Sequence, residues 1–296
     1  MTARKRGAFG YFYVILAAVL WAASGSMAKY LFQSGVTPFQ LVQLRTTLST
    51  AFLFLWLLLW KRDLLKINRK DVIYFVLLGS ALAVTQFTYL FAISRIHVAA
   101  AILLQYQSPV LIAVSAVLFA RERLSITTVT ALSGAILGCY LMVGAYNLDI
   151  LTMNRAGILS GLVSAAAFAM YSVKSEYGMR TYSPWTVVVY ALLVAAVIWN
   201  IAHPPLAGFS GRYGAPLWIG IVFIVLFGTV AAFGLYNEGI QRIRATHASI
   251  TATLEPVIAG GISYFLVGEM LEPWQIMGAF LVIASIILLQ IRKDTV

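Results

Sequence analysis

The chain is a succession of apolar runs, each about long enough to cross a bilayer, joined by short charged connections. Residues 72–94 and 124–148 contain no Asp, Glu, Lys or Arg. A hydrocarbon core takes roughly 20 helical residues, and backbone in lipid must satisfy its own hydrogen bonds. Each run therefore reads as a transmembrane α-helix. Cuts at clusters of charge, Pro and Gly give ten spans, near 11–32, 39–60, 72–93, 98–119, 125–145, 156–177, 184–202, 216–239, 247–267 and 273–291. Hydrophobic residues make up 61% of the chain and charged residues 10%, against about 25% charged in a soluble domain. An ordinary water-soluble enzyme and a disordered chain are both excluded. The longest connection, 203–215, has loop chemistry, so function is expected inside the membrane.

Lys and Arg set the orientation. With the N-terminus in the cytoplasm, sixteen of them fall inside and three (Arg95, Arg155 and Arg212) fall outside, with Lys29 and Arg45 within spans. That bias predicts ten crossings with both termini cytoplasmic. The net charge of +11 is spread between apolar runs, which is membrane patterning rather than a nucleic-acid surface. Arg4-Lys5-Arg6 before an apolar run has the look of a signal peptide, but that run is longer than a signal h-region. A retained first helix is expected. Trp56, Trp60, Trp185, Trp199, Trp218 and Trp274 lie near span ends, as an aromatic belt does. Trp21 lies mid-span, either packed or lining a cavity.

The two halves resemble each other at an offset near 147 residues. Tyr89-Leu-Phe-Ala-Ile-Ser-Arg-Ile-His lies over Tyr236-Asn-Glu-Gly-Ile-Gln-Arg-Ile-Arg, Pro109-Val110 over Pro256-Val257, and Glu122 over Glu269. Pro38-Phe39 meets Pro184-Trp185, and Gly134-Ala135 meets Gly278-Ala279, with small slippages. Five spans per half is an odd number, so the second half enters from the opposite side. The prediction is an all-α membrane protein of two inverted five-helix repeats, 11–145 and 156–291. That architecture recurs in secondary transporters, which bind substrate near the midplane between the halves.

The motifs also carry a family likeness. Ala17-Ala-Val-Leu-Trp21 with Lys29, Pro38 and Arg45 resembles the first helix pair of the EamA repeat. Ser108-Pro109-Val-Leu with Arg121-Glu122-Arg-Leu-Ser125 resembles its fourth helix and following loop. Glu255-Pro256-Val with Gly268-Glu269-Met-Leu271 and Gly278 resembles the same stretch of a second repeat. The likeness covers essentially the whole chain. It implies the drug/metabolite transporter superfamily, usually an exporter in the bacterial inner membrane, with spans one to four and six to nine around the cavity. Within it the chain is most similar to YddG-type exporters of aromatic and other amino acids. The second repeat departs at its start, with Ala167-Phe168 and Lys174-Ser-Glu176 where the first has Trp21 and Lys29.

Candidate site residues follow. Pro109 and Pro256, expected to interrupt spans four and nine, are candidate gates, because Pro removes a backbone donor. Glu255 is a carboxylate at depth, a functional candidate by default for a substrate ammonium or a coupling proton. Arg45 and Lys29 are expected to serve structure more than recognition, and Glu238 with Arg242 forms an ordinary i,i+4 pair. Uncharged polar residues offer mixed walls: Ala101, Gln105 and Ser108 on a span-four stripe that runs on to Ile112, Thr85, Gln86 and Tyr89 on span three, Ser164, Phe168 and Tyr171 on span six, and Tyr236 on span eight. Trp21 and Ser24 complete the expected substrate-binding set. Such walls suit a small zwitterion or an aromatic metabolite. Gly134-x3-Gly138 and Gly157-x3-Gly161 permit close helix approach. Intramolecular packing is the favoured reading, with a homodimer through the first left open.

There is no phosphate-binding loop for an ATP-driven pump, no hydrolase or zincin motif and, with Cys139 alone, no cysteine metal cluster. No cofactor or metal is expected. The expected function is a secondary, alternating-access exporter of small organic solutes, most simply neutral amino acids. Other metabolites or drugs are the alternatives within transporters; a lipid-modifying enzyme or a channel are the alternatives outside them.

Overall fold

Helix starts are written into the local sequence. Thr37 accepts from the Gln40 amide while the Gln40 side chain accepts from the Thr37 amide, and Pro38 takes the first helical position, where no backbone acceptor is needed. Ser125, Asn154 and Ser183 cap three further helices, and Pro184 and Pro273 open theirs. The computed structural model describes residues 3–291 apart from 120, 122, 150, 151, 212, 268 and 269. Glu122 and Glu269 thus lie outside the described residues, as does Arg212.

Among the described residues twelve α-helices follow in order: α1 (Ala3–Gln33), α2 (Pro38–Trp60), α3 (Val72–Arg95), α4 (Val98–Gln105), α5 (Ser108–Leu118), α6 (Ile126–Met142), α7 (Arg155–Gly178), α8 (Pro184–Ala202), α9 (Ala215–Phe223), α10 (Ala232–Ala252), α11 (Leu254–Val267) and α12 (Pro273–Ile291). A π-helical segment, Ile224–Ala231, joins α9 to α10. No strand occurs among the described residues. Among the described residues eight helical stretches are long and apolar enough to cross a membrane, and α6 is a shorter apolar helix. The chain is a multi-pass membrane protein.

Three features depart from the simple span reading. The fourth span breaks at Tyr106–Gln107 into α4 and α5. The ninth breaks at Thr253, ahead of α11. Spans eight and nine are not divided by a loop. The run Ala215–Ala252 is helical throughout except at Arg244, whose φ of 69° and ψ of 162° leave the helical region.

The repeat is visible in the packing. α1 packs along α10 as α3 packs along α7; α4 and α5 flank α7 as α11 flanks α1; α2 pairs with α8, and α6 with α12. Exchanging the halves maps each pair onto another or onto itself. The correspondence reaches single atoms. A Cβ on Gly10 would stand 2.6 Å from Ile243 Cγ2 and 2.9 Å from Arg242 Cβ; one on Gly157 would stand 2.6 Å from Ile96 Cγ2 and 3.0 Å from Arg95 Cβ. All three residue pairs are 147 positions apart.

The glycine motifs serve packing within the chain. Gly138 lies against the Gly278 carbonyl and Val282, and Gly134 against Ser285, which brings α6 onto α12; Gly161 lies against Leu104. The α2–α8 pair is tied at both ends. At one, Gln43 donates to Asn200 Oδ1 (3.1 Å) and the Pro204 carbonyl (3.0 Å) and accepts from the Gly208 amide (2.6 Å). At the other, Thr186 and Tyr190 donate to the carbonyls of Leu64 and Leu65 at 2.7 and 2.6 Å. Trp199 departs from the expected belt: it is buried and donates to the Ala83 carbonyl at 3.3 Å.

Candidate functional site

Both broken helices line a cavity of about 70 Å3. Trp21, Ser24, Gly25 and Ala28 of α1 form one wall, and Thr85, Gln86, Tyr89, Leu90 and Ile93 of α3 another. The α4–α5 break contributes Gln105, Tyr106 and Ser108; Ala252 of α10 and Glu255 of α11 flank the second break. Arg45, Phe168, Ile224, Gly228 and Phe233 complete the lining.

Nine of the thirteen residues expected to bind substrate lie on this wall: Trp21, Ser24, Thr85, Gln86, Tyr89, Gln105, Ser108, Phe168 and Glu255. Four lie off it. Ala101 is buried in a small cluster with Ala92, Ile93, Ile96 and Ala100. Ser164 stands one layer back, its hydroxyl 3.0 Å from Gln105 Oε1 and 3.2 Å from the Thr85 carbonyl, where it orients two wall residues. Tyr171 and Tyr236 are fully buried behind the aromatic end of the cavity. Pro109 and Pro256 also lie off the wall. Each falls in the first turn of a helix that starts afresh after a break. There the missing amide has no helical acceptor to lose, so neither kinks a continuous helix as expected.

Arg45 is on the wall and also serves structure, as expected of it. Its Nε donates to Thr229 Oγ1 at 3.2 Å and its Nη2 to the Gly228 carbonyl at 3.4 Å. Both partners belong to the π-helical segment. A π turn frees carbonyls from the ordinary ladder, and here Arg45 takes that of Gly228, Ser49 that of Val225 and Thr229 that of Ile224. Glu255, 9% exposed, faces the same cavity. Among the described residues neither Arg45 nor Glu255 forms an ion pair. Tyr89 lies within electrostatic range of both. The guanidinium therefore presents unused donors, and the carboxylate unused acceptors, to whatever fills the cavity.

Two further groups complete the polar chemistry. Gln86 is 3% exposed, yet both atoms of its amide lack partners. Buried amides are nearly always satisfied, so this one has its donors and acceptor free for whatever fills the cavity. Tyr106 Oη lies 2.7 Å from Glu255 Oε2 and 2.9 Å from the Ala252 carbonyl. A phenol has one proton for two acceptors. It serves Glu255 when the carboxylate is ionised; when Glu255 is protonated, the carboxyl donates to Oη and the phenol proton turns to Ala252. The arrangement is complete in both protonation states.

The deep end of the cavity is aromatic. Trp21 meets Phe233 and Phe168 edge-on at 5.3 and 5.9 Å and Tyr236 at a tilt at 5.1 Å between ring centroids. At the other end Ile93 is shared with a more open hollow bordered by Lys29, Phe32, Gln33, Ser94 and His97. Glu238 and Arg242 pair as expected, with Arg242 also over the Tyr13 ring at 4.8 Å. Sequence reasoning missed Tyr106 and Phe233. Tyr106 was hidden because the stripe through Ala101, Gln105, Ser108 and Ile112 assumed an unbroken helix, whereas the break turns Tyr106 inward and leaves Ala101 and Ile112 in the core.

A helical, multi-pass membrane protein whose repeated halves enclose one mixed polar and aromatic cavity has the architecture of a secondary transporter. The comparisons agree. The sequence profile of the EamA-like transporter family matches residues 8–144 and again 155–291, and the chain belongs to that family. It is 28% identical to the "Uncharacterized inner membrane transporter YicL" of Salmonella typhimurium over 286 residues, covering 95% of each chain. It is 33% identical to an "Uncharacterized transporter" of Archaeoglobus fulgidus over 202 residues, 68% of this chain and 70% of that one. A crystal structure of another protein superposes over 96% of both chains with a TM-score of 0.74 at 19% identity, which is a likeness of fold.

Proposed function

We propose that the protein is an alternating-access exporter of neutral amino acids in a bacterial inner membrane, with ten crossings and both termini cytoplasmic. The crossing count divides Ala215–Ala252 at Arg244, between Arg242 and Ala245, which the positive-inside rule assigns to the cytoplasm. The cavity then opens outward through Ala28 and Ile93 and ends inward at the aromatic cluster.

One observation carries the substrate class: a buried Arg and a buried Glu on the same wall, neither paired, beside an unsatisfied amide. A buried charge needs a partner. A zwitterion supplies both partners at once, its carboxylate to Arg45 and its ammonium to Glu255, with Gln86 donating to one end and accepting from the other. Trp21, Phe168 and Phe233 receive the side chain. Glu255 and Tyr106 supply a group that accepts a proton when the ammonium leaves.

Ligand-dependent thermal unfolding of purified protein tests this. Phenylalanine, threonine and methionine are expected to stabilise it. Phenethylamine, which lacks the carboxylate, and 3-phenylpropionate, which lacks the ammonium, are expected to bind at least tenfold more weakly, about 1.4 kcal/mol. Arg45→Gln should abolish the preference for phenylalanine over phenethylamine, and Glu255→Gln that over phenylpropionate. Stabilisation by amines alone, indifferent to Arg45, would contradict the zwitterion reading and favour a drug or polyamine carrier.

A further inference from the structure

The offset of 147 residues carries the open cavity onto a closed part of the molecule. Ser24, Gly25 and Ala28 of α1 have Tyr171, Ser172 and Ser175 of α7 as repeat mates; Tyr89 and Leu90 of α3 have Tyr236 and Asn237 of α10. The first set lines the cavity, and among the described residues no side-chain hydrogen bond joins its two helices. The second set is shut. Ser172 Oγ lies 3.0 Å from Tyr236 Oη, Asn237 Nδ2 donates to Tyr171 Oη at 2.9 Å, and Tyr171 meets Phe233 edge-on at 5.6 Å.

This seam is too polar to be packing alone. All five of its polar side chains are 0% exposed, and Asn237 Oδ1 has no hydrogen-bond partner. Unmet polar groups at membrane depth are tolerated where some state of the molecule wets them. A latch adjoins the seam. Glu176 accepts from Arg244 Nε at 3.2 Å and from the Ala245 amide at 2.7 Å. The contact holds Arg244 at φ 69° and ψ 162°, a backbone region that only Gly enters freely. The repeat mates of Glu176 and Arg244 are Lys29 and His97, which border the open outer hollow and cannot pair by charge.

We propose that the α7–α10 seam is the cytoplasmic gate, latched by Glu176, and that it opens onto a second solute-binding cavity walled by Tyr171, Ser172, Ser175 and Asn237. The inference rests on the alternating-access reading above. In inverted repeats the arrangement of one half in one state is that of the other half in the next. Opening the seam therefore gives α7 and α10 the separation now seen between α1 and α3. Ser175 Oγ and Asn237 Oδ1 then meet water or solute, and Arg244 is released from its strained geometry. Because among the described residues only the inner side has such a latch, the outward-open state is favoured at rest.

Cysteine accessibility tests the gate. In a Cys139→Ala background, Ala28→Cys and Ser175→Cys are reconstituted separately and treated with a membrane-impermeant thiol reagent on one face at a time. Ala28→Cys should react from the outer face and Ser175→Cys only from the cytoplasmic face. Adding Glu176→Gln should speed the Ser175→Cys reaction about tenfold and slow that of Ala28→Cys. A Ser175→Cys protein that retains amino-acid counterflow but reacts from neither face overturns the gate and leaves the carrier reading intact. Cytoplasmic reactivity without counterflow of any amino acid supports the gate and overturns the substrate assignment. Should Ser175→Cys fail to accumulate, Asn237→Cys is read in the same way. A Glu176→Gln protein with unchanged rates removes the latch.

Discussion

Arg45 and Glu255 illustrate how far single residues can be read from sequence. A carboxylate ten residues into an apolar run is conspicuous, and Glu255 is on the cavity wall. Arg45 is equally conspicuous, but sequence offers no way to see that its partners are a hydroxyl and a carbonyl rather than a carboxylate. That difference leaves its charge available to a solute. Thr229 holds Arg45 in place without being a wall residue itself. Thr229→Val removes one neutral-to-charged hydrogen bond, worth ~1.5–3 kcal/mol. Loss of that support is expected to raise the amino-acid Kd about tenfold while leaving the unfolding temperature of the unliganded protein within a few degrees of wild type. Titration calorimetry beside thermal unfolding checks this; an unchanged Kd would show that Arg45 needs no such support.

At the scale of elements, hydropathy located the helices well and their interruptions poorly. Charge-free runs and Pro or Ser/Thr starts mark α2, α3, α8 and α12 to within a few residues. Hydropathy is blind to backbone direction, so the breaks at Tyr106–Gln107 and Thr253 leave no trace in it, and neither does the π segment that positions Arg45. Pro109 and Pro256 mark where spans four and nine are interrupted, though neither kinks a continuous helix. They follow the breaks and tolerate them; the Tyr106 hydrogen bonds to Ala252 and Glu255 join the two breaks. Pro256→Ala is therefore expected to cost less than about 1 kcal/mol, because the substituted residue sits in a first turn. Tyr106→Phe is expected to cost more, as it removes the one phenol proton that serves either Glu255 or the Ala252 carbonyl, and a buried acceptor left unmet costs ~1–3 kcal/mol. Unfolding temperatures of the two variants give the ranking; the reverse order would return the gating role to the prolines.

At the scale of the whole molecule, a 147-residue repeat that was visible in a handful of aligned Tyr, Arg, Ile and Pro residues proves to order the packing. It matches Gly10 with Gly157 and pairs α1–α10 with α3–α7. The repeat also exposes what is unequal between the halves: one seam open and the other shut, with Ser108 facing the cavity where the second half has Glu255. On the zwitterion reading proposed above, that single buried carboxylate is the group expected to answer to a pH gradient. The direct test is counterflow in proteoliposomes loaded with unlabelled phenylalanine, threonine or methionine, following entry of the labelled solute with and without a pH gradient. The account predicts saturable exchange that Arg45→Gln abolishes, and a response to the gradient that Glu255→Gln removes while exchange persists. Absence of exchange with every amino acid, in protein that unfolds cooperatively at its normal temperature, would contradict it.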